Sequence, residues 1–336
     1  MFDYTHRSAT RGSQRSLRRW LSCAMLAILS LAVPLLASAQ AYPSKPIRIV
    51  VPFGPGSATD TIARMLGERA GKSLGTTFVV DNRPGANGLI AAREVVAAPK
   101  DGYTIMVSSN SAHAANVYLY KNLGYDPVKD FTPITGLTMN PHVLVIRPDL
   151  PIHSMKELIA YGKEHPGKLN FGNGNTGSLA NAALVKTMGG FTAVDVAYKS
   201  PPLAVQDLLG GRIDFLSTDY FIVNDHIKLG KLRALAVTSK TRLRPLPDVP
   251  AVAETIPGYE LNGWVAAFAP AGTPPDIVAK LNKAFVEFVN SPEFQKYCDQ
   301  QGMQGFATTP QDLGAFQRDQ VTKWADVLQK AGVERE

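Results

Sequence analysis

An α/β chain of two lobes with a cleft between them is what this sequence predicts, and three observations predict it. Short β-branched runs alternate with helical spacings along most of the chain. That alternation breaks once, in a proline-rich stretch, and then restarts. Each of the two blocks also carries a strand–turn–helix junction rich in glycine and hydroxyl residues. Alternating strands and helices build layered α/β lobes, and a cleft between two lobes is a natural small-molecule site.

The first block opens with the strand Ile47 to Val51 and a helix over Thr61 to Ala70, apolar at Ile62, Ala63, Leu66 and Ala70. A strand at Phe78 to Val80, a helix near Gly88 to Ala97 and a strand at Tyr103 to Val107 follow. Strands joined by crossover helices predict a parallel sheet buried on both faces. Tyr125 to Pro133 reads as irregular. The second block runs through strands at His142 to Ile146, Leu169 to Phe171, Val194 to Ala197, Ile213 to Leu216 and Leu232 to Val237. Its helices are Met155 to Glu164, Ser178 to Met188 and Pro202 to Leu209. A connector carries Pro245, Pro247, Pro250 and Pro257, and Trp264 to Phe268 is extended. Three helices close the chain near Pro275 to Val289, Pro292 to Gln301 and Pro310 to Ala331, each with proline where a helix start tolerates it. The expected division is a signal over 1–39, one lobe from 40–139 with 261–336, and a second lobe over 140–260. Two crossing segments would then form a hinge.

Arg7, Arg11, Arg15, Arg18 and Arg19 make a basic leader, followed by an apolar run from Leu21 to Leu36 and the small-x-small site Ala37-Ser38-Ala39. This is the pattern of a secretory signal, with a run too short to cross a bilayer comfortably; a membrane anchor is the alternative. Cys23 stands at the start of that run, where lipidation cysteines do not. Arg18-Arg19-Trp20-Leu21 only loosely matches a twin-arginine signal and does not decide the export route. The expected destination is the periplasm. The leader holds five of the 35 Lys/Arg and one of the 28 Asp/Glu, so the remainder balances at 30 against 27. A surplus of three makes no case for nucleic acid. Cys298 is the one cysteine beyond the leader, so no internal disulfide is available in an oxidising compartment.

The two junctions carry the most information. The first reads Val50-Val51-Pro52-Phe53-Gly54-Pro55-Gly56-Ser57-Ala58-Thr59-Asp60, the second Phe171-Gly172-Asn173-Gly174-Asn175-Thr176-Gly177-Ser178. Glycine lets backbone approach a ligand, and the unpaired N–H groups of a helix start attract an anion. One such site on each lobe would hold an elongated anion at both ends. Two other readings stand beside this one. Gly172-x-Gly174-x-x-Gly177, with Asp195 eighteen residues on, matches a dinucleotide fingerprint, although Asp195 falls at the start of its strand. Alternatively, both junctions are only tight turns. No Gly-x-Ser-x-Gly elbow, His-x-x-x-His pair or cysteine cluster occurs, and the histidines are scattered. The expectation is therefore no enzyme, no catalytic residue, no cofactor and no metal.

The run Ile47 to Asp60 and the segment Val80-Asp81-Asn82-Arg83-Pro84-Gly85-Ala86-Asn87-Gly88 resemble the Bug family of receptors for tripartite tricarboxylate transporters. So do Asp101-Gly102-Tyr103-Thr104, Tyr125 to Phe131, Leu208 to Asp214, Gly230 to Thr238, Pro247 to Pro250, Ala269 to Pro274 and Lys323-Trp324. The likeness covers the chain beyond the leader, in order. It implies a type II periplasmic-binding-protein fold with the ligand in the interlobe cleft, gripped by two loops acting as a pincer on a carboxylate. The residues it points to are Phe53, Ser57, Ala58 and Thr59 from the first loop, with Asp60 bracing that loop. From the second loop come Asn173, Asn175, Thr176, Gly177 and Ser178. Ser108, Asn110, His113, Tyr198, Thr218 and Asp219 are further candidates.

The chain departs from the family where Gly56-Ser57 replaces a glycine pair and where Ser200-Pro201-Pro202 replaces glycines. Asp219 is the most suggestive feature, because a carboxylate in an anion pocket is costly unless it meets an ammonium or hydroxyl, or faces away. The implied partners are a small carboxylate, of the dicarboxylate or aromatic acid class, and membrane permease subunits, with the receptor a monomer. A receptor for an uncharged or amide ligand, or a sensor feeding a signalling partner, is the alternative.

Overall fold

The structure is a computed structural model that describes residue 1 and residues 42–336. The chain divides into two compact units, Met1–Ser44 and Lys45–Glu336, and every strand and helix described belongs to the second. The predicted signal, residues 1–39, lies outside the described residues apart from Met1. Among the described residues no helix is long and apolar enough to cross a membrane.

The first part of the chain alternates as its pattern predicts. Strand β1 (Ile47–Val51) leads to α1 (Ala58–Leu74), β2 (Phe78–Asn82), α2 (Leu89–Val96) and β3 (Thr104–Ser109). β1 is a nearly unbroken apolar run because β2 and β3 flank it on both sides in parallel register. A π-helical turn over Ser111–Ala115 and α3 (Asn116–Leu119) follow β3.

The expected break is instead one long strand. β4 runs over 16 residues, Phe131–Ile146, through a segment that reads as irregular up to Pro133 and as strand only from His142. Pro133, Gly136 and Pro141 hide it in the sequence, since proline and glycine argue against a strand interior. The register slips between Pro133 and Thr135 and again between Gly136 and Thr138, and so absorbs them. Up to Pro141, β4 pairs antiparallel with β9 (Asn262–Pro270). From His142 onward it pairs antiparallel with β7 (Phe215–Asp219) on one side and β8 (Arg233–Val237) on the other.

The second block supplies α4 (Met155–Glu164), β5 (Leu169–Asn173), α5 (Thr176–Gly189), β6 (Ala193–Ala197), α6 (Pro201–Leu209) and α7 (Tyr220–Lys228). α7 is a helix the periodicity does not announce, and β7 extends three residues past the predicted end at Leu216. The closing segments are α8 (Pro275–Val289), α9 (Pro292–Gln300), β10 (Gln304–Gly305) and α10 (Pro310–Lys330).

The strands join in the order β2-β1-β3-β9-β4-β7-β5-β6, with β8 and β10 also on β4. The sheets are thus mixed, which corrects the expectation of purely parallel ones. β1–β3 and β5–β7 are parallel, while β4 and β9 run antiparallel to their neighbours. The outer strands β2 and β6 are partly exposed rather than covered on both faces. The fold is α/β and two-lobed, as expected. One core cluster, with Met106, Phe171, Phe215, Trp264 and Trp324, extends through both blocks. A second, with Val145, Leu208 and Leu216, lies in the later block alone. Cys298 is buried in α9, and burial pushes its thiol up to about 12.

Candidate functional site

The first junction is built by a helix cap. Ser57 sits at φ −72°, ψ 165° ahead of α1, and its Oγ accepts the Asp60 N–H at 3.3 Å. Its own hydroxyl lies 3.3 Å from Thr59 Oγ1. The Ala58 and Thr59 N–H groups find no acceptor among the described residues, as the first turn of a helix requires unless a cap or ligand supplies one. Asp60 turns away from them. Its carboxylate accepts from Gly56 N–H at 2.9 Å, Asn82 Nδ2 at 2.9 Å and Arg64 Nε at 3.1 Å. Burial works to raise this carboxyl, but hydrogen bonds from Arg64, Gly56 and Asn82 outweigh it and hold it below its ordinary value.

The second junction uses the same device with an amide. Asn175 precedes α5 in extended conformation, and its Oδ1 accepts the Ser178 N–H at 2.7 Å. Thr176 donates its N–H to Ser111 Oγ at 3.2 Å, and its hydroxyl lies 3.4 Å from Asn116 Oδ1. This helix start therefore leans on the turn that follows β3. The glycines here face protein. A side chain on Gly174 would overlap the Ser200–Pro201 backbone, one on Gly172 would overlap Ile213, and one on Gly177 would sit 3.0 Å from the His142 ring. Asp195, the acid of the dinucleotide-like pattern, is hydrogen-bonded by Asn173 Nδ2.

A small cavity lies where the two blocks meet. Phe53, Ser57, Ala58 and Thr59 line it from the first junction, and Asn175, Pro201 and Asp219 from the second block. Ser109 and Asn110 reach it from the end of β3, and Asn140, His142, Gly263, Trp264 and Val265 close it from β4 and β9. Asn110 Oδ1 faces the Trp264 N–H at 3.4 Å, which leaves its buried Nδ2 without a partner.

Of the predicted residues, the structure brings Phe53, Ser57, Ala58, Thr59, Asn110, Asn175 and Asp219 together around this space. It does not bring the others to the lining. His113 is fully buried, stacked 3.7 Å from the Phe268 ring with Nδ1 3.1 Å from Ser108 Oγ. Burial lowers its pKa to about 3. Tyr198 gives its hydroxyl to Asp207 at 2.9 Å. Asn173, Thr176, Gly177 and Ser178 sit behind Asn175. Thr218 is buried beside Asp219 with its hydroxyl unpartnered. Most of the residues that sequence reasoning missed, Asn140, His142, Gly263 and Trp264 among them, lie on β4 and β9, which carry no motif.

His142 and Asp219 form the polar wall from the second block. They are direct register partners on β4 and β7, and both are buried. His142 Nε2 stands 3.9 Å from Asp219 Oδ1. Burial lowers the imidazole's pKa, and the Asp219 charge opposes this only in part. Asn181 Oδ1 accepts from the Tyr259 hydroxyl at 2.5 Å and its Nδ2 donates to Gly177 O at 2.9 Å, which fixes the amide. The same Nδ2 lies 3.4 Å from His142 Nδ1. In the neutral ring this places the proton on Nε2, toward Asp219.

Two lobes, a small polar cavity where they meet and a helix start opening into it define a solute-binding receptor of the periplasmic type. The chain matches the tripartite tricarboxylate transporter family receptor over residues 62–333 and belongs to that family. The Bug likeness read from the motifs is borne out. BugT of Bordetella pertussis is 35% identical over 311 residues, covering 91% of this chain and 95% of BugT. The solved structure of R. palustris Rpa4515 with adipate has a TM-score of 0.85 at 33% identity, over 88% of this chain and 100% of that one. MatC (Rpa3494) from Rhodopseudomonas palustris with bound malate has a TM-score of 0.81 at 30% identity, over 85% of this chain and 100% of MatC.

Proposed function

We propose that this chain captures a small organic carboxylate in the cavity between its lobes and presents it to a membrane permease, without chemical turnover. The lobes we assign are 40–139 with 261–336, and 140–260, hinged where β4 changes partners at Pro141 and His142 and where the chain returns into β9. The observation that carries the reading is the donor set on one wall. The free N–H groups of Ala58 and Thr59 at the start of a 17-residue helix share the cavity with the unpartnered Asn110 Nδ2. A helix start favours an anion by roughly 0.3–1 kcal/mol when exposed and up to ~2 kcal/mol when partly buried.

Ser57 and Thr59 add hydroxyls, and Phe53 covers one side. Asn175 comes from the opposite lobe, while Asn173, Thr176, Gly177 and Ser178 hold its loop in place. The relatives described with adipate and malate support an aliphatic carboxylate as the class. The leader pattern and the family support a periplasmic destination.

A thermal-shift screen tests this, with C4 to C8 dicarboxylates, citrate, acidic amino acids, benzoates, phthalates and nicotinate. A ligand at ~100 times its dissociation constant stabilises by about 2.7 kcal/mol, a clear shift. No shift with any of them, while an amide or uncharged aromatic does stabilise the protein, would replace the carboxylate reading with that of an uncharged ligand.

A further inference from the structure

The cavity's second wall is built of acceptors rather than donors. Asp219 is 4% exposed and stands at the N-cap of α7, yet its side chain makes no capping bond. Its Oδ1 accepts from Asn140 Nδ2 at 3.2 Å, while Oδ2 accepts no hydrogen bond among the described residues. Asn140 is fixed in that orientation, since its amide nitrogen must face the carboxylate. Its Oδ1 is then left buried without a donor. No lysine or arginine among the described residues pairs with Asp219, and the nearby His142 is held neutral by burial. A buried carboxylate without a counter-ion is strongly unfavourable, and so is a buried amide oxygen without a donor. Both stand on residues that line the cavity opposite the free N–H groups of α1.

We propose that the ligand is a zwitterion, its carboxylate held by Ala58, Thr59 and Asn110 and its protonated amine by Asp219 and Asn140. This rests on the carboxylate reading above and narrows it. An ammonium brings several N–H donors and a positive charge, which match Asp219 Oδ2 and Asn140 Oδ1. A plain dicarboxylate of the same length would set its second carboxylate against Asp219, where like charges repel. A hydroxyl can donate one hydrogen bond but cannot neutralise the buried charge.

Titration calorimetry of the whole protein near neutral pH with pairs differing by one amine decides the matter. The pairs are L-aspartate and succinate, L-glutamate and glutarate, and 4-aminobutyrate and butyrate, with malate as the hydroxyl counterpart of aspartate. In at least one pair the amine-bearing member should bind about tenfold or more tightly, and an amine should gain more than a hydroxyl. Asp219→Asn should then lower affinity for the amine-bearing ligand about tenfold or more and narrow its advantage over the amine-free counterpart, an advantage that a loss common to both ligands would leave unchanged. If the amine-free or hydroxyl ligands bind as tightly as the amines, the zwitterion assignment falls while the carboxylate receptor stands. Should no member of any pair bind, the zwitterion assignment falls, and the thermal-shift screen decides the carboxylate reading on its own. The wild-type ratios decide the assignment even if Asp219→Asn does not fold.

Discussion

His142 and Asp219 face each other as register partners on β4 and β7, with Nε2 and Oδ1 3.9 Å apart, yet they do not form a strong ion pair. Burial keeps the imidazole neutral, and Asp219 takes its one close hydrogen bond from Asn140 instead. The relationship matters because β4 changes partners at His142. The polar pair therefore sits where one block hands over to the other, and both residues line the cavity.

The glycine turn of the second junction gives a stability prediction with an internal control. Gly174→Ala would drive a methyl into the Ser200–Pro201 backbone, which cannot rotate away as a side chain can. It should destabilise by about 3 kcal/mol and weaken ligand binding, because Pro201 lines the cavity. Gly210→Ala meets nothing closer than 3.4 Å and should change stability by less than about 0.5 kcal/mol. Urea denaturation of the two variants checks both values.

Removing the cap of α1 separates folding from binding. Ser57→Ala loses the acceptor for Asp60 N–H, at a cost of about 1 kcal/mol in the ligand-free protein. Affinity should fall as well, since Ser57 lines the cavity. Denaturation with and without ligand measures the two effects independently.

Bonds that tie the second junction to the first block should contribute to closure. Thr176 N–H of the second junction donates to Ser111 Oγ of the first block at 3.2 Å. Ser111→Ala should raise the ligand dissociation constant about fivefold, equivalent to roughly 1 kcal/mol. An unchanged affinity by calorimetry would show that closure does not depend on this contact.

Stability should fall with acid in two stages. His113 is held at about 3 by burial, against 6.5 for the free side chain, and His142 is lowered too. The unfolded chain therefore takes up protons first as pH falls below about 6.5. Stability that is complete above that value is lost progressively toward pH 3 through His113, by about 1.4 kcal/mol per pH unit, and His142 adds a loss of the same sign. Asp60, lowered below its ordinary 3.8, contributes above that value and loses its contribution only as pH falls further. His113→Phe should flatten the curve between pH 6.5 and 5 in urea titrations at stepped pH.

Much of this was legible in the sequence because local chemistry dictated it. Pro275 and the spacing that follows predict α8 over the residues it occupies, and Ser57 and Asn175 announce their helix starts by residue type alone. Only the end of β4, from His142, was legible, because Pro133, Gly136 and Pro141 mimic a loop while register slips accommodate the pairing before it. The cavity divides in the same way. Ser57, Ala58, Thr59 and Asn175 stand at junctions with a recognisable pattern. Asn140, His142 and Trp264 reach the cavity only because β4 and β9 pair antiparallel, a relationship between residues more than a hundred positions apart. Several residues of the second junction, Thr176 and Ser178 among them, share that pattern but do not line the cavity: the Asn175 cap takes the Ser178 N–H, and Ser111 takes that of Thr176.

The most direct test of the account is titration calorimetry of the wild-type protein and Ala58→Trp with the best carboxylate from the screen. Ala58 carries one of the free N–H groups and lines the cavity, so an indole there fills the space and leaves most of α1 untouched. The wild type should bind saturably, and a folded Ala58→Trp should not bind. Equal binding by both proteins would place the carboxylate elsewhere and contradict it.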